Sequence, residues 1–296
     1  MLISEIQRFS TKDGGGIRTV IFVKGCPLDC RWCHNPETKS FENELMFYPT
    51  FCIGCRACEA ACRNGCHSFT DTEHIFDRTK CTVCLKCAES CPAEALKPAA
   101  EEMSISEIAD FAMRDRVFWG ETGGVTISGG EPLAHEGTIE LLKLLKSRGV
   151  SCILETGGYV PRERLAAAIP FTDLFYWDIK DGRRENHKAE TGVYPERIIE
   201  NLLFADSLGA KTAVRCIVVK GVNDSRESFE NIAKTVLKLK NIQYIELIKY
   251  HAMGGAKQRA LTGTDNTDKA FIPTEADLKR IAGYIKKYTD VNIKGI

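Results

Sequence analysis

Three observations predict an α/β fold built on a parallel sheet of six strand–helix units, interrupted near its start by a small cysteine-rich unit. Six apolar, β-rich runs occur at Thr19–Lys24, Val125–Ser128, Ser151–Glu155, Leu174–Ile179, Ala213–Val219 and Tyr244–Ile248. Helical patterns separate or follow them at Ile105–Arg114, Thr138–Arg148, Arg162–Ala168, Ile198–Leu208, Ser228–Leu239 and Glu275–Tyr288, an alternation that reads as βαβ units. Twelve of the 14 cysteines lie between Cys26 and Cys91, and beyond Lys97-Pro98 the composition becomes ordinary α/β.

Each element has its own punctuation. Thr274 stands where it can cap the last helix, and Gly149 and Gly209 stand where helices stop. Six units are fewer than the eight of a closed barrel. A partial barrel with one open side is expected, wide enough on that side for a macromolecular substrate. The cysteine-rich stretch 48–98 falls in the first strand-to-helix connection and reads as a separate domain, leaving 1–47 and 99–296 for the barrel.

Composition narrows the function. The 296 residues carry 40 basic and 40 acidic side chains, which argues against a general nucleic-acid or membrane-surface binder. No run of about 18 apolar residues is present to span a bilayer. Met1-Leu2-Ile3-Ser4-Glu5 lacks the basic start and apolar stretch of a secretory signal, so a cytoplasmic protein is expected. Cysteines grouped as C-x2-C in such a chain point to metal in a reducing compartment rather than to disulfides.

The first cysteines, in Gly25-Cys26-Pro27-Leu28-Asp29-Cys30-Arg31-Trp32-Cys33-His34, are spaced C-x3-C-x2-C with no fourth at close range. An iron–sulfur cube has four irons, so three thiolates leave one iron free to bind a small molecule. A structural zinc site is the plainer alternative. The remaining cysteines form two similar units about 29 residues apart, Cys52-x2-Cys55-x2-Cys58-x3-Cys62 and Cys81-x2-Cys84-x2-Cys87-x3-Cys91-Pro92. Both match the bacterial ferredoxin spacing, in which the fourth cysteine ligates the other cluster. The expected sets are Cys52, Cys55, Cys58 with Cys91, and Cys81, Cys84, Cys87 with Cys62. A pair of zinc knuckles competes with this, although zinc sites favour paired C-x2-C runs. Arg63 stands where the first unit would carry proline, and Cys66 is a ninth cysteine, either a substitute ligand or a buried thiol. Clusters fully ligated by protein carry electrons, so the insert reads as a wire feeding the first site.

Taken with Asp13-Gly14-Gly15-Gly16-Ile17-Arg18 and the run Gly25–Glu37, the chain resembles, over nearly its whole length, the activating enzymes of glycyl radical enzymes. These are radical S-adenosylmethionine proteins, and the resemblance is to the subgroup with a two-cluster ferredoxin-like insert. Gly15 stands where many members have proline. The resemblance implies a partial (βα)6 TIM-like barrel of the radical SAM type and a bacterial-ferredoxin-like α+β insert. It implies three 4Fe–4S clusters, S-adenosylmethionine, and a monovalent cation. The implied reaction is reductive cleavage to methionine and a 5′-deoxyadenosyl radical, which takes a hydrogen atom from a glycine Cα of a partner glycyl radical enzyme. An electron donor such as flavodoxin or ferredoxin, and a monomer that docks transiently, complete the expectation.

The same resemblance assigns roles along the strand ends. Cys26, Cys30 and Cys33 hold the reactive cluster, and Trp32 lies beside the adenine. Gly129, Gly130 and Glu131 receive the cofactor's amino group. Glu155 and Thr156 lie near its carboxylate and the cation, with glutamate where aspartate is common. Asp178 and Lys180 belong to a D-I-K motif in which Lys180 offsets the carboxylate and Asp178 joins the cation or peptide site. Arg215, a charge in an apolar strand that needs a partner, points toward the cofactor, with a structural ion pair as the alternative, and His251 points toward its ribose and methionine. His34, His67, His74, His135 and His187 have no such support, and Cys152 and Cys216 read as small core residues. Two further functions compete: a radical enzyme acting directly on a small molecule, and a multi-cluster electron carrier. The carrier leaves the incomplete triad and the strand-end motifs without a purpose.

Overall fold

In a computed structural model, which describes residues 1–265 and 267–296, six parallel strands form the centre of one sheet. They are β1 (Arg18–Val23), β2 (Gly124–Gly129), β3 (Cys152–Thr156), β4 (Leu174–Asp178), β5 (Thr212–Val218) and β6 (Ile242–Lys249), neighbours in chain order. The register pairs Arg18 with Gly124 and Val23 with Gly129, so β1 and β2 end together. An N-terminal strand, Leu2–Ser10, lies antiparallel to β1 with Glu101–Glu102 beyond it, and Ile293–Lys294 extends the other edge parallel to β6. Among the described residues these two edges do not pair, so the sheet stays open as a partial barrel.

β1 to β5 are mostly apolar and buried because both faces are covered, whereas β6, nearer the open edge, mixes buried with exposed residues. Helices α1 (Ile105–Met113), α2 (Gly137–Ser147), α3 (Arg162–Ala168), α4 (Arg184–Thr191), α5 (Glu196–Ser207), α6 (Arg226–Val236), α7 (Gly255–Thr262) and α8 (Glu275–Ile285) follow or flank them. Most bury one stripe, such as Leu141, Leu142 and Leu145 of α2 or Leu278, Ile281 and Ile285 of α8. Thr274 caps α8 in a reciprocal box with Asp277, and Gly149 and Gly209 take the left-handed conformation after α2 and α5, as their residue types require. No described helix is long and apolar enough to cross a membrane.

Within 48–98, the repeat seen in the cysteines recurs in the backbone. Each unit has a 3-10 turn before its first cysteine (Pro49–Phe51, Arg78–Lys80). A left-handed residue follows the second cysteine (Arg56, Leu85), and a short helix bears the third (Ala57–Ala61, Lys86–Glu89). The strands Leu45–Phe47 and Leu96–Pro98 pair where the segment leaves and rejoins the barrel, and His67–Phe69 pairs with His74–Phe76 inside it. Leu45, Phe47, Phe76, Ala95 and Leu96 form an apolar cluster there with Cys58, Cys66 and Cys87.

Arg18 is buried at the start of β1 without a carboxylate partner. Its guanidinium donates to Thr126 Oγ1 (2.8 Å) and to the carbonyls of Val125 (2.7 Å), Ser151 (2.8 Å) and Thr122 (3.3 Å). It staples β1 to the starts of β2 and β3. Arg18→Leu is expected to lower the unfolding free energy by roughly 2–4 kcal/mol through loss of these charge-assisted bonds, read as a fall in the urea midpoint at unchanged slope.

Candidate functional site

The loop after β1 carries Cys26, Cys30 and Cys33, and its backbone is tied on three sides. Gly25 and Cys26 donate their N–H groups to the carbonyls of Thr38 (2.8 Å) and Lys39 (2.9 Å), while Asp29 and Arg31 donate to Thr191 (2.8 Å) and Glu190 (3.0 Å) at the end of α4. From the third side, Gly130 and Glu131 donate to Val23 (2.7 Å) and Gly25 (2.8 Å). The two glycines permit this approach. A Cβ on Gly129 would lie 2.2 Å from the Val23 nitrogen, and one on Gly130 would lie 2.3 Å from the Gly25 oxygen.

The three thiols are buried or half-buried. Burial raises the pKa of each, that of Cys30 to about 12 although Lys180 pulls it down. A metal bound there would displace those protons. Beside Cys33 a pocket is lined by Trp32, His34, Tyr250, His251 and Phe271. Among the described residues the Trp32 indole N–H, buried there, has no partner, and the His34 and His251 rings meet edge to face at 4.3 Å. An orphaned donor on an aromatic wall next to three thiols fits an iron–sulfur cluster with a bound nucleoside.

The remaining predicted residues line up along the strand ends. The buried Glu131 carboxylate accepts from Thr156 Oγ1 (2.8 Å), Gly157 N–H (2.8 Å) and Leu133 N–H (3.1 Å), which joins the end of β2 to that of β3. Burial still pushes its pKa up to about 7. Glu155 accepts from Arg215 (2.9 Å) and from Ser128 (2.8 Å). Arg215 also lies 3.0 Å from Glu246 without an aligned hydrogen bond, and it stacks over Tyr176. Lys180 pairs with Asp178 at 2.6 Å. Burial opposes the Lys180 charge, but Asp178 and Cys30 outweigh it and raise its pKa. Both carboxylates expected around a monovalent cation are therefore already matched by protein cations.

In the cysteine-rich segment, Cys52, Cys55, Cys58 and Cys91 line one small cavity together with His74. Cys81 and Cys62 lie close enough to Cys87 to raise its pKa, whose main cause is burial. The backbone N–H of Cys66 donates to Cys62 Sγ (3.4 Å). His74 and its neighbour His67, to which the sequence alone assigns no role, both stand among these thiols. The signal available was their alternation with Phe69 and Phe76 in a hairpin, which faces both rings inward.

A six-stranded open parallel barrel with three thiols on the loop after its first strand defines the radical S-adenosylmethionine class. The radical SAM superfamily profile matches residues 20–236. The chain is 38% identical over 294 residues, 96% of its length and 95% of the relative's, to the isethionate sulfite-lyase activating enzyme of Nitratidesulfovibrio vulgaris. It is 34% identical over 295 residues, 97% and 95% of the two lengths, to the choline trimethylamine-lyase activating enzyme of Oleidesulfovibrio alaskensis. Streptococcus suis SuiB, bound to its precursor peptide SuiA, shares the fold with a TM-score of 0.57 at 13% identity, over 93% of this chain and 47% of that one. The chain belongs to the radical SAM superfamily and, within it, to the activating enzymes of glycyl radical enzymes.

The buried Glu131 gives the site a pH dependence of known sign. Its pKa is raised on folding from 4.5 to about 7, so the folded state binds more protons in that window and stability falls as pH rises through it, then levels off. In the cluster-free protein, Glu131→Gln is expected to remove that decline, worth up to roughly 3 kcal/mol. Urea unfolding across the window measures it.

Proposed function

We propose that this chain installs a glycyl radical on a partner enzyme, with Cys26, Cys30 and Cys33 holding the reactive 4Fe–4S cluster. The observation that carries the reading is the three-thiol loop, bonded on three sides and set beside a pocket walled by Trp32 and His251. With cluster and S-adenosylmethionine bound, they supply reductive cleavage and the 5′-deoxyadenosyl radical that takes hydrogen from a glycine Cα. The protein's own residues hold and orient. Gly129 and Gly130 keep β2 close to the loop, and Glu131 anchors the neighbouring strand end. Lys180 presents a positive charge toward Cys30 and the strand ends, balanced by Asp178. Arg215 and Glu155 set a second fixed pair in the barrel interior, and Trp32 offers an N–H to a nucleoside. A monovalent cation near Thr156 would have to share Glu155 with Arg215 and Asp178 with Lys180.

Residues 48–98 are read as a ferredoxin-like domain with two further 4Fe–4S clusters, on Cys52, Cys55, Cys58, Cys91 and on Cys81, Cys84, Cys87, Cys62. The cavity shared by the first four thiols supports this. The segment would relay electrons from a flavodoxin or ferredoxin in the cytoplasm to the first cluster. The protein would act as a monomer that docks on a lyase or decarboxylase of the kind its relatives activate.

The test is anaerobic incubation of the reconstituted protein with S-adenosylmethionine, reductant and a panel of such lyases and decarboxylases. A doublet glycyl signal in paramagnetic resonance with one of them is expected. Methionine release with no protein radical across the panel overturns the reading in favour of a small-molecule substrate. About twelve irons per chain are expected from three cubes. Cys30→Ala should abolish cleavage. Cys84→Ala should slow it with a protein donor yet spare it with a strong artificial reductant, and unchanged turnover with the protein donor would refute the relay.

A further inference from the structure

The two halves of the cysteine-rich segment differ in what surrounds their thiols. His74 lines the cavity of Cys52, Cys55, Cys58 and Cys91. Its Nδ1 lies 3.4 Å from Cys52 Sγ, and its Nε2 lies 3.7 Å from Cys58 Sγ and 3.0 Å from Nδ1 of the buried His67. Among the described residues, no other side-chain nitrogen bonds a cysteine sulfur in either unit. The repeat supplies no equivalent, since Leu96 and Met103 stand 29 residues beyond His67 and His74.

The hairpin fixes both rings. Across the strand pair, His74 opposes Phe69 and His67 opposes Phe76. Each histidine stacks on its opposite number, at 4.2 Å and 15° for the first pair and 4.9 Å and 16° for the second. Phe47 closes on His74 at 4.4 Å. One proton arrangement places an N–H on a cysteine sulfur and keeps the bond between the two histidines, leaving Cys58 Sγ in contact with the bare Nε2 of His74. His67 Nδ1–H donates to His74 Nε2, and His74 Nδ1–H donates to Cys52 Sγ. The buried Nε2 of His67, which has no partner among the described residues, is then a bare lone pair rather than an orphaned donor.

We propose that His74 donates an N–H hydrogen bond to a thiolate sulfur of the cluster on Cys52, Cys55, Cys58 and Cys91, with His67 as the positioning residue that fixes its tautomer, and that this bond raises the reduction potential of that cluster alone. The inference rests on the reading that the segment holds two clusters. An N–H aimed at cluster sulfur stabilises the reduced form, in which negative charge on sulfur is greater. The second cluster lacks such a donor, so the two potentials separate and the relay acquires a higher and a lower step.

The test uses the full chain with Cys26, Cys30 and Cys33 replaced by alanine, so that only the segment's clusters contribute. With 15N-histidine, pulsed paramagnetic resonance of the reduced protein should show one weakly coupled nitrogen. A strong coupling, which would make His74 an iron ligand, or none at all, overturns the proposal. In redox titration His74→Phe, which keeps the stacking, should move one midpoint negative by about tenfold in the one-electron equilibrium, ~59 mV, and leave the other in place. His67→Phe should move the same midpoint in the same direction by less. Two clusters with unmoved midpoints refute this inference alone. Absent clusters, or bound zinc, in the parent protein refute it together with the reading of the segment.

Discussion

The site depends on how closely β2 approaches the end of β1. With side chains at Gly129 and Gly130 the two strand ends could not lie where they do, because a Cβ would fall inside the backbone of Val23 and Gly25. Bare backbone lets the N–H groups of Gly130 and Glu131 reach the Val23 and Gly25 carbonyls, so Cys26 starts from a fixed point. The bonds to Thr38, Lys39 and the end of α4 then hold the other side of the loop. A metal site on a loop is ordinarily less exact than one on a helix or strand. Here the loop borrows the rigidity of two strands and a helix end.

A second constraint is charge. Glu155, Asp178 and Lys180 at the strand ends, and Arg215 midway along β5, are all largely buried. Buried ions persist only when paired, since removing one partner leaves an uncompensated charge. The pairing is complete between Lys180 and Asp178 but not around Arg215, whose Nε faces Glu246 without forming a hydrogen bond. The site combines finished pairs that keep the barrel folded with two buried N–H groups, Arg215 Nε and Trp32 Nε1, left without a hydrogen-bond partner among the described residues.

Much of this was legible in the sequence. The six parallel strands lie within a few residues of the predicted runs because period and composition agree in strands covered on both faces. α4 was not foreseen because Arg-Glu-Asn-His-Lys-Ala-Glu-Thr has no apolar stripe, and what holds it is tertiary, including its terminal carbonyls bonded to the cysteine loop. The strand Leu2–Ser10 was missed because it mixes exposed and buried residues irregularly at a sheet edge. Arg18 entered only as part of a motif, since nothing in one sequence says that an arginine will find four oxygens and no acid. The pairing of Glu155 with Arg215 was equally hidden, because register across β3, β4 and β5 is a property of the sheet.

The link between segment and barrel shows why α7 was hard to read and why it matters. Its sequence is only weakly amphipathic, yet it packs on both parts of the molecule. Ala260 and Leu261 join Met46, Tyr48 and Ala99 in a small apolar cluster at the neck of the segment, and their carbonyls accept from Arg78 (3.0 and 2.6 Å). From the same helix Lys257 reaches Glu37 (2.5 Å), Glu5 (3.5 Å) and Asn35 (3.2 Å), beside the cysteine loop. One short helix, bonded to the segment at its C-terminal end and to the loop near its start, ties the two sets of thiols to a single frame. Its sequence is dictated by those two surfaces rather than by a core, so it carries no periodic signature of its own.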